Sequence, residues 1–200
     1  MNTMIQSQSV NQLELAEFIE WENQQETRHE LLNGEMIAMT GGTVAHAGLI
    51  MALAARLFNH LQGTPCRVFT SDLKVQAAQN LFYPDIVVSC ERQENDGMLC
   101  RNPKLIIEVL SSSTSRKDRH QKRLAYQDIA SLEEYILVSQ EAKHIDVYRR
   151  TDQWQPATYI GGVIELRSVH LVLLIDEIYA DKKKKQTRLA TTSWVETEHH

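Results

Sequence analysis

The sequence is poor in cysteine, poor in loop-forming residues and without a long apolar run. Its three cysteines, Cys66, Cys90 and Cys100, are odd in number and share no short repeated spacing. That argues against a disulfide framework and against a zinc finger. The expectation is instead small apolar core residues or thiols in a reducing cytoplasm. With 8 glycines and 4 prolines among 200 residues, collagen-like repeats are excluded. No stretch approaches ~18 apolar residues without a charge, so no membrane span is expected. Met1 to Leu13 is polar and rich in Gln and Asn, so no secretory signal is expected either. Positive charge is not in excess: Lys+Arg is 21 against Asp+Glu 26, a formal net charge of -5. That argues against coating nucleic acid through bulk charge, whereas a local basic patch beside acidic metal ligands remains open.

What is present is an ordinary globular composition, 42% hydrophobic and 24% charged, on a chain long enough for one domain. A polar leader over 1–12, one folded domain over 13–179 and a polar tail over 180–200 are expected. The tail contains the Lys182 to Lys185 run. Leu13 to Trp21 has the spacing of a short helix. Glu30 to Met39 reads as a hairpin around Asn33-Gly34, because both central residues of a type I′ turn need positive φ. His46 to Leu61 repeats apolar residues at steps of three and four and predicts a helix. Arg67 to Thr70 and Leu73 to Gln76 suggest a strand, broken at Ser71-Asp72. Tyr83 to Ser89 and Leu105 to Ser111 are strands apolar enough to be buried on both faces. The hydroxyl run Ser111 to Ser115 is good N-cap material, and a helix from Arg116 to Ile129 follows it. Glu134 to Ser139 and His144 to Arg149 are further strands, with short strands and loops after them. This order predicts an α/β domain with a mixed central sheet flanked by helices.

Two acids stand in the apolar strands, Asp85 just after Pro84 and Glu108 within Leu105 to Leu110. A lone buried carboxylate is costly without compensation. If the two strands are neighbours, the carboxylates converge and invite Mg²⁺ or Mn²⁺, which favour oxygen ligands. Such an ion lowers the pKa of water and stabilises charge on a phosphoryl group. Each acid alone has a plainer explanation: Glu108 pairing with an internal base, Asp85 capping a turn. The helix after Glu108 carries Asp118, Lys122 and Tyr126 at i, i+4 and i+8, one polar stripe. Lys122 can reach the carboxylates from there and orient a nucleophile or stabilise developing charge. Arg116, Lys117, Arg119, His120, Lys122 and Arg123 make this the most basic segment, suited equally to phosphate contact or to solvent.

Glu30 to Glu35, His46 opening a helix, Pro84 to Val88, Ile107 to Ser111, Asp118–Lys122–Tyr126 and Glu134 to Val138, in this order, resemble the Uma-two family of restriction-endonuclease-like proteins. The resemblance runs from about Leu13 to Tyr179. It implies the PD-(D/E)XK nuclease fold, a mixed sheet flanked by helices, here with an added N-terminal hairpin. It implies a Mg²⁺- or Mn²⁺-dependent endonuclease hydrolysing phosphodiester bonds in DNA, with Asp85 and Glu108 as metal ligands. The lysine expected two residues after Glu108 is Leu110, and Lys122 fits as its replacement. Glu35, then Glu30 or His46, would supply the remaining acid or ligand, with Asp118 and Tyr126 accessory. Cutting both strands implies a homodimer; the cysteine usage places it by expectation in the cytoplasm. The missing lysine and acidic net charge keep a second possibility open: a catalytically inactive nuclease fold that binds nucleic acid or protein.

Overall fold

Asn33 and Gly34 take φ of 53° and 80°, as the turn requires, and the hairpin closes on them. The computed structural model describes residues 14–91, 99–110 and 118–180. The leader over 1–12, the Ser111 to Ser115 run with Arg116 and Lys117, and the tail beyond 180 lie outside the described residues. After α1 (Leu15–Glu22) come β1 (His29–Leu32), β2 (Glu35–Ala38) and α2 (Val44–His60). Thr43 caps α2 by accepting a hydrogen bond from His46 N, 3.1 Å.

The chain then alternates between two sheets. It runs through β3 (Arg67–Thr70), β4 (Lys74–Ala77), β5 (Asn80–Phe82), β6 (Ile86–Ser89), β7 (Leu99–Cys100) and β8 (Leu105–Leu110). β9 (Glu134–Ser139), β10 (Ile145–Arg149) and β11 (Pro156–Tyr159) complete a six-stranded mixed sheet of order β11-β10-β9-β8-β6-β3, in which only β8 and β9 pair in parallel. The other sheet has order β2-β1-β5-β4-β7. The break expected at Ser71-Asp72 is where the chain leaves the six-stranded sheet, with Ser71 at φ 49°. Tyr83 to Asp85, expected to begin a strand, instead carries the chain back. The two crossings are tied together by Ser71 N donating to the Asp85 carbonyl, 3.2 Å.

β8 is buried along its whole length. Leu105, Ile107 and Val109 pack with Leu49, Leu53 and Leu57 of α2. The same core takes in β12 (Val163–Leu166), β13 (Leu171–Leu174) and α4 (Ile175–Ile178). Ile106 and Leu110 point to the other face, toward Val75 and Phe82 of the second sheet and Tyr126. Strand alternation puts Glu108 on that second face. The helix expected over Arg116 to Ile129 is different in kind. A π-helical turn, Asp118–Lys122, precedes a short α3, Arg123–Gln127. Periodicity fixes a face but does not distinguish a wide turn from an α-helical one.

The expectation of unpaired thiols is corrected at two positions. Cys66 and Cys90 form a disulfide. They flank β3 and β6, whose antiparallel register sets Arg67 against Ser89, so the next pair outward is Cys66 and Cys90. A separation of 24 residues gave no signal of this, because the pairing comes from strand register. Cys100 is buried in the second core, as expected of an apolar residue.

Candidate active site where the two sheets meet

β6 begins at Ile86, opposite Ile107, so beyond it the edge of β8 has no strand partner from β6. Asp85 takes that place. Its Oδ2 accepts from Val109 N at 2.7 Å and lies 3.3 Å from His46 Nε2 at the start of α2. Asp85 is thereby fixed beside the residue that follows Glu108. Its side chain keeps 15% of its surface exposed.

Glu108 is buried, and its Oε1 accepts from Lys122 Nζ at 3.3 Å and from the Tyr126 hydroxyl at 3.2 Å. Lys122 ends the π-helical turn and Tyr126 lies one turn on, so these two residues of the expected stripe reach the carboxylate. Lys122 Nζ also donates to Glu30 Oε1 at 2.9 Å and sits 5.5 Å from the centre of the Phe82 ring. An ammonium held over an aromatic face and between two carboxylates is strongly localised. Leu110 is buried in the apolar core, and the ammonium that meets Glu108 is that of Lys122.

Glu30 rather than Glu35 comes to this cluster. Glu30 is buried on β1, whereas Glu35 is exposed beside the hairpin turn, opposite Leu32. Glu30 Oε1 also accepts from Tyr83 N at 3.1 Å. Asp118 opens the π-helical turn. Arg123 lies over the Tyr148 ring at 5.4 Å, and His120 is exposed.

A second polar layer lies behind the first. The Tyr83 hydroxyl donates to Glu22 Oε1 at 3.0 Å, and the same oxygen accepts from His29 N at 2.9 Å. Burial and the Glu22 carboxylate push the Tyr83 hydroxyl well above its ordinary range. Lys74, also buried, has its pKa lowered by desolvation, against the pull of Glu22. Tyr83 and Glu22 were not expected from the sequence. The only available signal was the position of Tyr83 before Pro84-Asp85.

Glu30 and Glu108 thus meet on one ammonium, and Asp85 with the His46 imidazole lies beside the residue that follows Glu108. Among the described residues, no group of three His, Cys, Asp or Glu side chains is arranged to hold a metal ion. The donor set still suits Mg²⁺, which is commonly bound by one or two carboxylates with waters and substrate phosphate completing its shell. Asp85, just before β6, and Glu108 on the neighbouring β8 would be such a pair, and the side-chain contacts to Val109 N and His46 both fall on Asp85 Oδ2.

The profile of the Uma2 family, described as "Putative restriction endonuclease", matches residues 15–175. The chain belongs to this family. It is 36% identical over 169 residues to the uncharacterized protein slr1290 of Synechocystis sp., covering 82% of this chain and 89% of that one. It is 31% identical over 161 residues to sll1609 of the same organism, covering 77% and 91%. The crystal structure of "a putative nuclease belonging to DUF820" from Anabaena variabilis superposes with a TM-score of 0.73 at 19% identity, over 84% of this chain and 98% of that one. The Uma-two chain described here therefore has the mixed α/β, restriction-endonuclease-like fold, and its family is nuclease-like. None of its described helices is long and apolar enough to cross a membrane.

Proposed function

We propose that this Uma-two protein is a Mg²⁺-dependent endonuclease that hydrolyses phosphodiester bonds in DNA in the cytoplasm. The observation that carries the reading is Lys122 Nζ bridging Glu108 Oε1 and Glu30 Oε1, with Asp85 fixed at the neighbouring strand end. Asp85 and Glu108 would hold the cation, which supplies charge neutralisation at the phosphoryl group and a more acidic water. Lys122 Nζ donates a hydrogen bond to the attacking water and stabilises charge developing on the phosphoryl oxygens. Glu30 holds that ammonium in place, Tyr126 orients Glu108, and His46 orients Asp85. The bulk charge of -5 makes affinity depend on the cation and on local bases such as His120 rather than on a broad positive surface.

The test is cleavage of supercoiled plasmid by the full chain with Mg²⁺, with Mn²⁺ and with chelator. Nicked or linear product is expected with metal only. Asp85→Ala should keep the far-ultraviolet circular dichroism of the parent and abolish the product. Persistent cleavage by Asp85→Ala would overturn the site. Salt-sensitive DNA binding that ignores Mg²⁺, with no product under any condition, would instead favour the inactive binding fold.

A further inference from the structure

We infer that α2 presents a self-complementary face for a second copy of this chain. This goes beyond the proposed hydrolysis and does not depend on it. α2 buries Leu49, Leu53 and Leu57. Its opposite side carries Val44, Met51 and Phe58, which are 89, 68 and 58% exposed. They recur every seven residues and so form one line along the helix. Gly48 and Ala55 fall on the same line at steps of four and three. Arg56, the one Lys, Arg, Asp or Glu in α2, is turned to the Ala52 carbonyl and to Glu177. The exposed line is thus uncharged and alternates large with small.

Gly48 is the telling residue. Glycine inside a helix weakens it relative to alanine. A Cβ added at Gly48 would meet nothing within 4 Å, so packing within the chain does not require glycine there. The open space leaves room there for close approach by a second helix.

The spacing also reads the same in both directions. Two antiparallel copies of α2, related by a two-fold axis at the level of Leu53, set Phe58 against Gly48 and Met51 against Ala55, twice over. An isologous interface needs this reciprocity. α2 is about 25 Å long. A pair of such helices alone buries on the order of 1,000 Å², the small end of specific interfaces. The adjacent layer extends the face. β12 and β13 cover the same core as α2 and turn Val163, Val172 and Leu174 outward, 50, 61 and 48% exposed. Monomeric proteins seldom leave so much apolar surface on one layer.

Sedimentation of the full chain from micromolar to submillimolar concentration tests the proposal. The parent is expected to dimerise. Gly48→Leu should raise the dissociation constant at least tenfold while leaving the melting temperature of the monomer unchanged or higher. Met51→Lys and Ala55→Glu should each be monomeric alone and form a heterodimer when mixed, because the two positions face each other. A parent that stays monomeric throughout would overturn the proposal, as would a Gly48→Leu dimer as tight as the parent or a lowered Gly48→Leu melting temperature.

Discussion

The six-stranded sheet holds two buried acid–base pairs, and they are built differently. Glu134 on β9 stands directly across from Arg149 on β10. Its Oε1 accepts from Arg149 Nε at 2.7 Å, and its Oε2 accepts from Ser168 N and Oγ at 2.8 and 2.6 Å. Arg149 also donates to the Glu165 carbonyl. Burial opposes its charge, yet the hydrogen bonds with Glu134 and Tyr159 raise its pKa above the ordinary value. Both acid oxygens are held by short bonds from groups fixed by strand register and by a 3₁₀ turn. Glu108 has longer contacts, 3.3 and 3.2 Å, from a lysine on a π-helical turn and from a tyrosine. It also has a second carboxylate, Asp85, at the next strand. The first pair closes the structure. The second leaves an excess of acid beside a partly exposed group, the feature on which the proposed hydrolysis rests.

Predictions follow from that contrast. Glu134→Ala should have the largest effect on stability, about 3–5 kcal/mol, because it strands a buried guanidinium. Urea denaturation measures this, and cleavage per folded molecule should not change. Glu108→Gln should show the reverse. Its amide oxygen can still accept from Lys122 and Tyr126, so stability should shift by about 1 kcal/mol or less, while plasmid cleavage falls roughly a hundredfold or more. If cleavage tracked stability in both variants, the distinction between the pairs would fail. Tyr126→Phe should be milder, about 1 kcal/mol in stability with a partial loss of rate. A last effect concerns alkaline pH. Burial raises the pKa of Tyr83 and moves that of Tyr179 to about 12. Above the ordinary tyrosine value near 10 the unfolded chain loses these protons first, so stability should fall as pH rises from 10 toward 12. Lys74, with a lowered pKa, acts oppositely: below its ordinary value of 10.5 the unfolded chain binds the extra proton, so this contribution makes stability rise with pH there. Replacing Tyr179 with Phe should flatten the alkaline decline.

Much of this was legible beforehand because it is local. The Asn33-Gly34 turn, the α2 periodicity and the apolar runs of β6, β8 and β9 each declare themselves within a few residues. Asp85 and Glu108 stood out because charge in an apolar strand demands an explanation. What stayed hidden depends on which segments meet. Tyr83 to Asp85 has strand composition but crosses between sheets. Glu30 and Glu35 are equivalent on a hairpin until packing buries one and exposes the other. Glu134 looked like an ordinary strand start, since nothing local announces that Arg149 and Ser168 converge on it. The Cys66–Cys90 bond is likewise a property of register.

The sequence by itself determined most of the elements, the family and the two acids Asp85 and Glu108, because hydrophobic period, turn chemistry and the cost of a buried charge act over short spans. Only the tertiary structure decided that Glu30 shares the Lys122 ammonium with Glu108 and that Arg149 answers Glu134. Lys122 lies 14 residues from Glu108 and 92 from Glu30, and no local rule brings an ammonium to both. The meeting of the two sheets does so, because burying all three groups together costs less than burying any one of them alone.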